Sequence, residues 1–152
     1  MTSPRPIARI VGTGRHLPER VMTNDDLAEI VDTNDEWIRT RTGISTRRIA
    51  DEQTGAADMA ADAAHKAMES AGVTADDIDL IIVSTATPDR WLPSTACDLQ
   101  LRIGADRAFA FDLVAACSGW LYALSVAEGH LAAGRADTVL VVGTEKMSAI
   151  VD

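Results

Sequence analysis

Cysteine and aromatic residues are scarce in this sequence. Among 152 residues there are two cysteines, Cys97 and Cys117, and aromatic side chains make up only 4%. Neither cysteine belongs to a CxxC pair, and the histidines His16, His65 and His130 are scattered, so the clustered ligands of a zinc site are missing. Long apolar runs are missing too: none approaches the roughly 20 residues that span a bilayer. Met1 to Pro6 lacks the apolar stretch of a secretory signal, and the expectation is a cytoplasmic chain whose thiols form no structural disulfide. Positive charge is in short supply, with 14 Lys and Arg against 23 Asp and Glu and a net charge of −9. That balance disfavours nucleic acid, which needs basic patches to neutralise phosphates. The basic residues that do gather, Arg39, Arg41, Arg47 and Arg48, read either as a solvated surface or as a patch for a phosphorylated or carboxylated ligand.

What is present is the composition of a globular protein, 47% hydrophobic and 24% charged. A short strand is predicted over 7–12. Thr23-Asn24-Asp25-Asp26 reads as a helix start, with Leu27, Ile30 and Val31 as its apolar stripe. A second short helix runs from near Asn34 to Gly43. Residues 54–71 form the clearest helix, with Met59, Ala63, Ala67 and Ala71 at helical spacing and Gly72 as its stop. Buried strands follow at 78–83, 108–111 and 138–142. Between them lie helices at 94–103, with Pro93 placed for a first helical position, and at 117–133, closed by Gly134. Strands alternating with helices indicate an α/β sheet covered on both faces. No linker or repeat interrupts the chain, which reads as one domain over 1–152.

Cys117 stands where the 108–111 strand passes through Asp112-Leu113-Val114-Ala115-Ala116 into a helix. A strand-to-helix corner projects its side chain above the sheet, as nucleophile elbows do, and a helix N-terminus favours the reactive thiolate. Gly119 opens a substrate's approach to the backbone, whose N–H groups are placed to hold an oxyanion. The competing reading is a structural thiol, since free cysteine is among the most buried residue types. Cys97, without such a setting, reads as core packing. Trp120, Leu121, Tyr122, Ala123, Leu124, Val126 and Ala127 point all round the 117–133 helix, so burial on every side is expected, with a second domain or subunit covering what one sheet leaves bare.

The stretch FDLVAACSGWLYAL resembles the active-site segment of β-ketoacyl-acyl-carrier-protein synthase III, in the thiolase superfamily. IVGTGRHLPERVMTN resembles that family's opening strand and loop, DTNDEWIRTRTGISTRRIA its coenzyme A signature, and LVVGTEKMS a following strand. The resemblance implies a thiolase-like α/β fold. This chain would be one of two duplicated halves, with a mixed sheet flanked by helices and a buried helix bearing the cysteine. It implies Cys117 as the acyl-accepting nucleophile, and Trp37 and Arg41 as the pair sandwiching the adenine of coenzyme A, with Thr33 beside them. A flat indole and guanidinium suit a purine, although Trp37 alone reads as helix packing. Leu92 matches a position that reaches the partner subunit's acyl pocket and helps set primer length; many members carry an aromatic there.

The reaction implied is decarboxylative condensation of an acyl-coenzyme A primer with malonyl-acyl-carrier protein through an acyl-Cys117 intermediate. It needs no metal or redox cofactor, and a homodimer is expected. The family's catalytic His and Asn belong to the second copy, absent from this chain, and His16, His65 and His130 match neither. Alternatives are a hydroxymethylglutaryl-coenzyme A synthase, which has Glu where this chain has Ala86, a polyketide- or quinolone-type ketosynthase, and a non-catalytic acyl- or coenzyme-binding half-domain.

Overall fold

The structure, a computed structural model, describes residues 8–150. They form two compact units, Leu17–Thr54 and a larger one that takes residues 8–16 and 55–150. Among the described residues no helix is long and apolar enough to cross a membrane.

The smaller unit carries β1 (Arg20–Thr23), α1 (Asn24–Ala28), α2 (Asp35–Thr42) and β2 (Thr46–Ile49). The strands pair antiparallel, from Arg20 opposite Ile49 to Thr23 opposite Thr46. Sequence patterning misses this ladder because two helices separate its strands and no hairpin turn marks it. α1 begins as expected in a capping box: Thr23 Oγ1 accepts the Asp26 N–H at 3.1 Å, and the Asp26 carboxylate accepts the Thr23 N–H at 2.7 Å. It ends sooner than its apolar stripe suggests. The N–H groups of Ile30 and Val31 both bond Leu27 O at 3.0 Å, tightening the chain into a turn and leaving both side chains exposed. α2 holds to its expected limits, capped by Asn34 Oδ1 on the Trp37 N–H at 2.8 Å and stopped by Gly43 at φ 72°. Buried Asn24 ties the unit together, donating to Asp35 (2.8 Å) and Ile44 O (2.9 Å) and accepting from Arg47 (2.7 Å).

The larger unit is a three-layer sandwich made from α3 (Ala56–Ala71), β3 (Leu80–Ser84), α4 (Thr95–Ile103), β4 (Phe109–Leu113), α5 (Gly119–Ala132) and β5 (Val139–Gly143). Its strands are parallel throughout in the order β4-β3-β5, so the antiparallel pairing in this chain belongs to the smaller unit. Every residue of the central β3 is buried. Period-two alternation splits the strands between two cores. Ile81, Val83, Ala110, Leu140 and Val142 pack with α3 and α4, while Leu80, Ile82, Phe111, Leu113, Val139 and Val141 pack with α5. Crossover handedness explains the layering. From β3 to β4 the chain steps one way across the sheet and from β4 to β5 it steps back, so right-handed connections place α4 and α5 on opposite faces.

Two expectations are corrected here. Residues 8–12 form no strand; Ile7 lies outside the described residues. The segment instead runs along α3, so closely that a Cβ at Gly12 would overlap Ala67 O and one at Gly14 would overlap Ala63 O. The Ala63, Ala67, Ala71 stripe serves this segment, and α3 buries Ala57, Ala60, Ala61, Ala64 and Met68 instead. Pro93 precedes the cap of α4, which is Ser94, with Oγ accepting the Cys97 N–H at 3.3 Å. On α5 the sheet covers one side, as expected of a single sheet: Ala123 and Ala127 face it, while Leu121 and Tyr122 remain 63% and 57% exposed.

Two predictions follow from this packing. Leu99 is fully buried in the α3–α4 core, so Leu99→Ala should cost about 2–5 kcal/mol in urea unfolding, whereas exposed Leu101→Ala should stay within about 0.5 kcal/mol. Asp58 accepts the Gly55 N–H at 2.9 Å and Arg102 Nε at 2.8 Å; the Gly55 bond, and after it Arg102, hold its carboxyl below the usual 3.8. A depressed carboxylate stabilises the fold above its unfolded value and ceases to as pH falls through the folded one. Asp58→Asn should therefore unfold at lower urea than the parent near neutrality, and the gap should narrow as pH falls from about 5 through the lowered folded value.

Candidate active site

Cys117 lies beyond the carboxyl end of β4, the edge of an open parallel sheet where ligand sites form. It occupies the middle of a single 3-10 turn, Ala116–Ser118, between β4 and α5, and its side chain is exposed. The helix therefore starts two residues later than sequence patterning places it, at Gly119. Two i→i+3 bonds make the turn: Ser118 N–H to Ala115 O at 3.1 Å, and Gly119 N–H to Ala116 O. Those two N–H groups are engaged inside the turn and are not turned toward an oxyanion. Ala116 holds φ at 45°, the left-handed region that non-glycine residues rarely occupy. Gly119 also serves a different purpose from the expected one. A Cβ there would overlap Ser84 Oγ on β3, so its missing side chain accommodates the protein's own sheet.

Around this edge the structure assembles buried polar groups that patterning overlooked. Thr85 and Thr87 follow β3, Thr144 and Glu145 follow β5, and the threonines are buried. The Glu145 carboxylate accepts the Ala86 N–H at 2.9 Å and Thr87 Oγ1 at 2.6 Å, locking the two strand exits together. Thr144 Oγ1 donates to Ala56 O at 3.0 Å. The signal in the sequence was there: hydroxyl residues directly after apolar strands, too far apart in the chain to read as a group.

The histidines do not approach the thiol as partners. His130 is in the last turn of α5, the end away from Cys117, with its ring 5.4 Å from that of Phe109. His16 Nδ1 pairs with Asp62 at 2.9 Å. Cys97 lies on α4 only partly buried and outside both core clusters, not in the core as expected, with its Sγ 3.3 Å from Ser94 Oγ. Leu92 and Trp91 are 85% and 83% exposed on the loop between β3 and α4. Two carboxylates brace that loop: Asp89 accepts the Ala56 and Ala57 N–H groups at 2.7 and 3.0 Å, and Asp98 accepts Arg90 at 2.6 Å.

In the smaller unit Thr33 and Trp37 line one hollow of about 520 Å³ with Leu27, Val31, Asp32, Asn34 and Ile38. Such a volume suits a small ligand. The Arg41 guanidinium lies over the Trp37 ring at 4.4 Å, one helical turn along α2. Thr33 Oγ1 is buried, with no hydrogen-bond partner among the described residues. The basic cluster divides on inspection: Arg48 donates to Pro18 O and Glu19 O at 3.1 Å, Arg47 to Asn24, and Arg39 pairs with Asp35 at 3.7 Å. Arg41 is the member that stacks on an aromatic ring.

Known proteins resemble this chain along nearly its whole length. The profile of the family 3-Oxoacyl-[acyl-carrier-protein (ACP)] synthase III matches residues 111–152, the segment that holds the cysteine turn. A beta-ketoacyl-[acyl-carrier-protein] synthase III of Xanthomonas campestris pv. campestris is 60% identical over 151 residues, covering 99% of this chain and 46% of its own length. A synthase III of Bacillus anthracis is 53% identical over 94% of the chain, again 46% of its own length. Among solved structures, the 3-oxoacyl-[acyl-carrier-protein] synthase III of Aquifex aeolicus superposes with a TM-score of 0.91 at 51% identity, covering 94% of this chain and 46% of that one. The priming beta-ketosynthase of the R1128 polyketide pathway gives 0.92 at 40% identity, covering 95% and 43%. The chain thus spans about half the length of the relatives it matches and has the thiolase-like α/β fold of their N-terminal half. By sequence and by fold it is similar to the N-terminal half of β-ketoacyl-acyl-carrier-protein synthase III proteins.

Proposed function

We propose that this chain is the acyl-accepting half of a condensing enzyme that starts fatty-acid or related polyketide synthesis. The observation that carries the reading is the exposed Cys117 thiol on a strained turn between a parallel strand and a helix. The Cys117 thiolate attacks the carbonyl of an acyl-coenzyme A; a new C–S bond forms, the old one breaks, and coenzyme A leaves as its thiol. Malonyl-acyl-carrier protein then loses carbon dioxide, and its carbanion attacks the acyl-Cys117 thioester. The β-ketoacyl product stays on the carrier and the Cys117 thiolate is released. No metal or redox cofactor enters this scheme, and coenzyme A comes only as part of the substrate. In this reading the general base is supplied by the family's second half, with its His and Asn. The reading includes a cytoplasmic homodimer, with Leu92 helping to set primer length.

Trp37, Arg41 and Thr33 are the proposed coenzyme A contacts. Trp37 and Arg41 lie 4.4 Å apart, stacked on each other, so sandwiching an adenine between them requires the Arg41 side chain to swing off the indole; the unpartnered Thr33 hydroxyl lies in the wall of the hollow that Trp37 lines. The hydroxymethylglutaryl-coenzyme A synthase alternative is weaker, since Ala86 stands where those enzymes have Glu. The likeness to a priming ketosynthase keeps a polyketide primer within the same reaction class.

The test is to incubate the chain with radiolabelled acetyl-coenzyme A, alone and mixed with the remaining half of the Xanthomonas relative, and map the label. Label on Cys117 that disappears in Cys117→Ala is the expected result. No label in either setting, with coenzyme A still bound, would leave a binding module. Trp37→Ala should weaken coenzyme A binding tenfold or more in calorimetry, since stacking a base on an aromatic ring contributes about 1–3 kcal/mol; unchanged affinity would remove the hollow from the reading.

A further inference from the structure

The loop that carries Cys117 leaves the sheet and returns to the place it left. Its departure point, Leu113, pairs with Ser84 of β3. Its return point, Gly119, seats on the same Ser84, and a Cβ at Gly119 would lie 3.8 Å from Leu113 Cδ2. Residues 114–118 must close on one spot, and Ala116 takes up the constraint at φ 45°. A backbone held there persists only where its surroundings over-determine it. Downstream, the anchor is the Gly119–Ser84 contact.

Upstream, the anchor is Asp112. Its side chain points to the α3–α4 face, opposite to Leu113, by the alternation of β4. Its carboxylate accepts the Thr95 N–H at 2.8 Å and the Ala96 N–H at 2.7 Å. Thr95 and Ala96 are buried in the first turn of α4, where N–H groups have no intrahelical partner and the dipole favours negative charge. Two charge-assisted bonds thus fasten the end of β4 to α4 just before the loop begins.

We propose that Asp112 is a positioning residue for Cys117: by fastening β4 to α4 it maintains the strained Ala116 corner and keeps the thiol at the head of α5. This deepens the proposed acyl-accepting role of Cys117 and rests on it. Asp89 provides the comparison. It makes the same two-bond clamp on α3, to Ala56 and Ala57, but from a loop that does not lead to the cysteine.

The test measures iodoacetamide alkylation of Cys117 in the full chain near neutral pH, by mass spectrometry of its peptide, for Asp112→Asn, Asp89→Asn and the double variant Asp112→Asn/Ala116→Gly. Asp112→Asn should slow alkylation at least threefold. Loss of a nearby negative charge by itself favours a thiolate and would speed the reaction, so slowing reports displacement of the sulfur. Adding Ala116→Gly should restore the rate to within about twofold, because glycine occupies positive φ without strain. Asp89→Asn should stay within about twofold of the parent, as a cap whose loss does not reach the thiol. The proposal is overturned by an unchanged rate in Asp112→Asn, by slowing that Ala116→Gly does not relieve, or by equal slowing in Asp89→Asn. If Asp112→Asn does not fold, Thr95→Pro decides: it removes one N–H donor at a first helical position, where proline is tolerated, and a parental rate there also overturns the proposal. Acetyl-coenzyme A labelling is read alongside. A parent chain that alkylates at Cys117 but takes no acetyl group contradicts the proposed function, while the alkylation series still judges Asp112.

Discussion

The structure of the larger unit depends on β3 having a parallel neighbour on each side. Paired with β4 and β5 and covered above and below, its residues are all buried, and its alternating side chains feed two separate cores. Parallel pairing forces each connection across a face of the sheet, and crossover handedness sends the two connections to opposite faces. All three carboxyl ends then meet at one edge. Cys117 emerges there because the loop after β4 is one of those ends.

Carboxylates organise that edge more than apolar contacts do. Asp89 and Asp112 each accept two N–H groups from the start of a neighbouring helix, and Glu145 joins the exits of β3 and β5. Buried backbone donors at a helix start require a partner. Supplying it from another element satisfies the donors and sets the distance between elements at the same time. An acidic protein puts some of its excess charge to structural use in this way.

α5 shows two different demands on one helix. The face carrying Ala123 and Ala127 is small because it lies on the sheet, and Trp120 on the same side reaches Gly143 of β5; the opposite face keeps Leu121 and Tyr122 exposed. Gly119 at its start is dictated by β3, which leaves no room for a Cβ above Ser84. The residues around the thiol are thus selected by the sheet beneath it as much as by any ligand above it.

The periodic parts of the chain were readable in one dimension. Strand and helix alternation from 54 onward, the caps at Thr23 and Asn34, and the stops at Gly43 and Gly72 each depend on neighbours a few residues away. The placement of Cys117 between a strand and a helix belongs to the same class. The β1–β2 ladder, the track of α3 under Gly12 and Gly14, and the Glu145 cluster were not readable, because each joins residues far apart in sequence through contacts that leave no period. The 3-10 turn and the strained Ala116 were decided by closure of a short loop over Ser84, a constraint that exists only once β3 and β4 are paired. Sequence alone determined which residues form the elements from residue 54 onward and which sulfur stands at the corner; tertiary structure decided the backbone conformation that presents it, because that conformation is set by the sheet on which the loop must close.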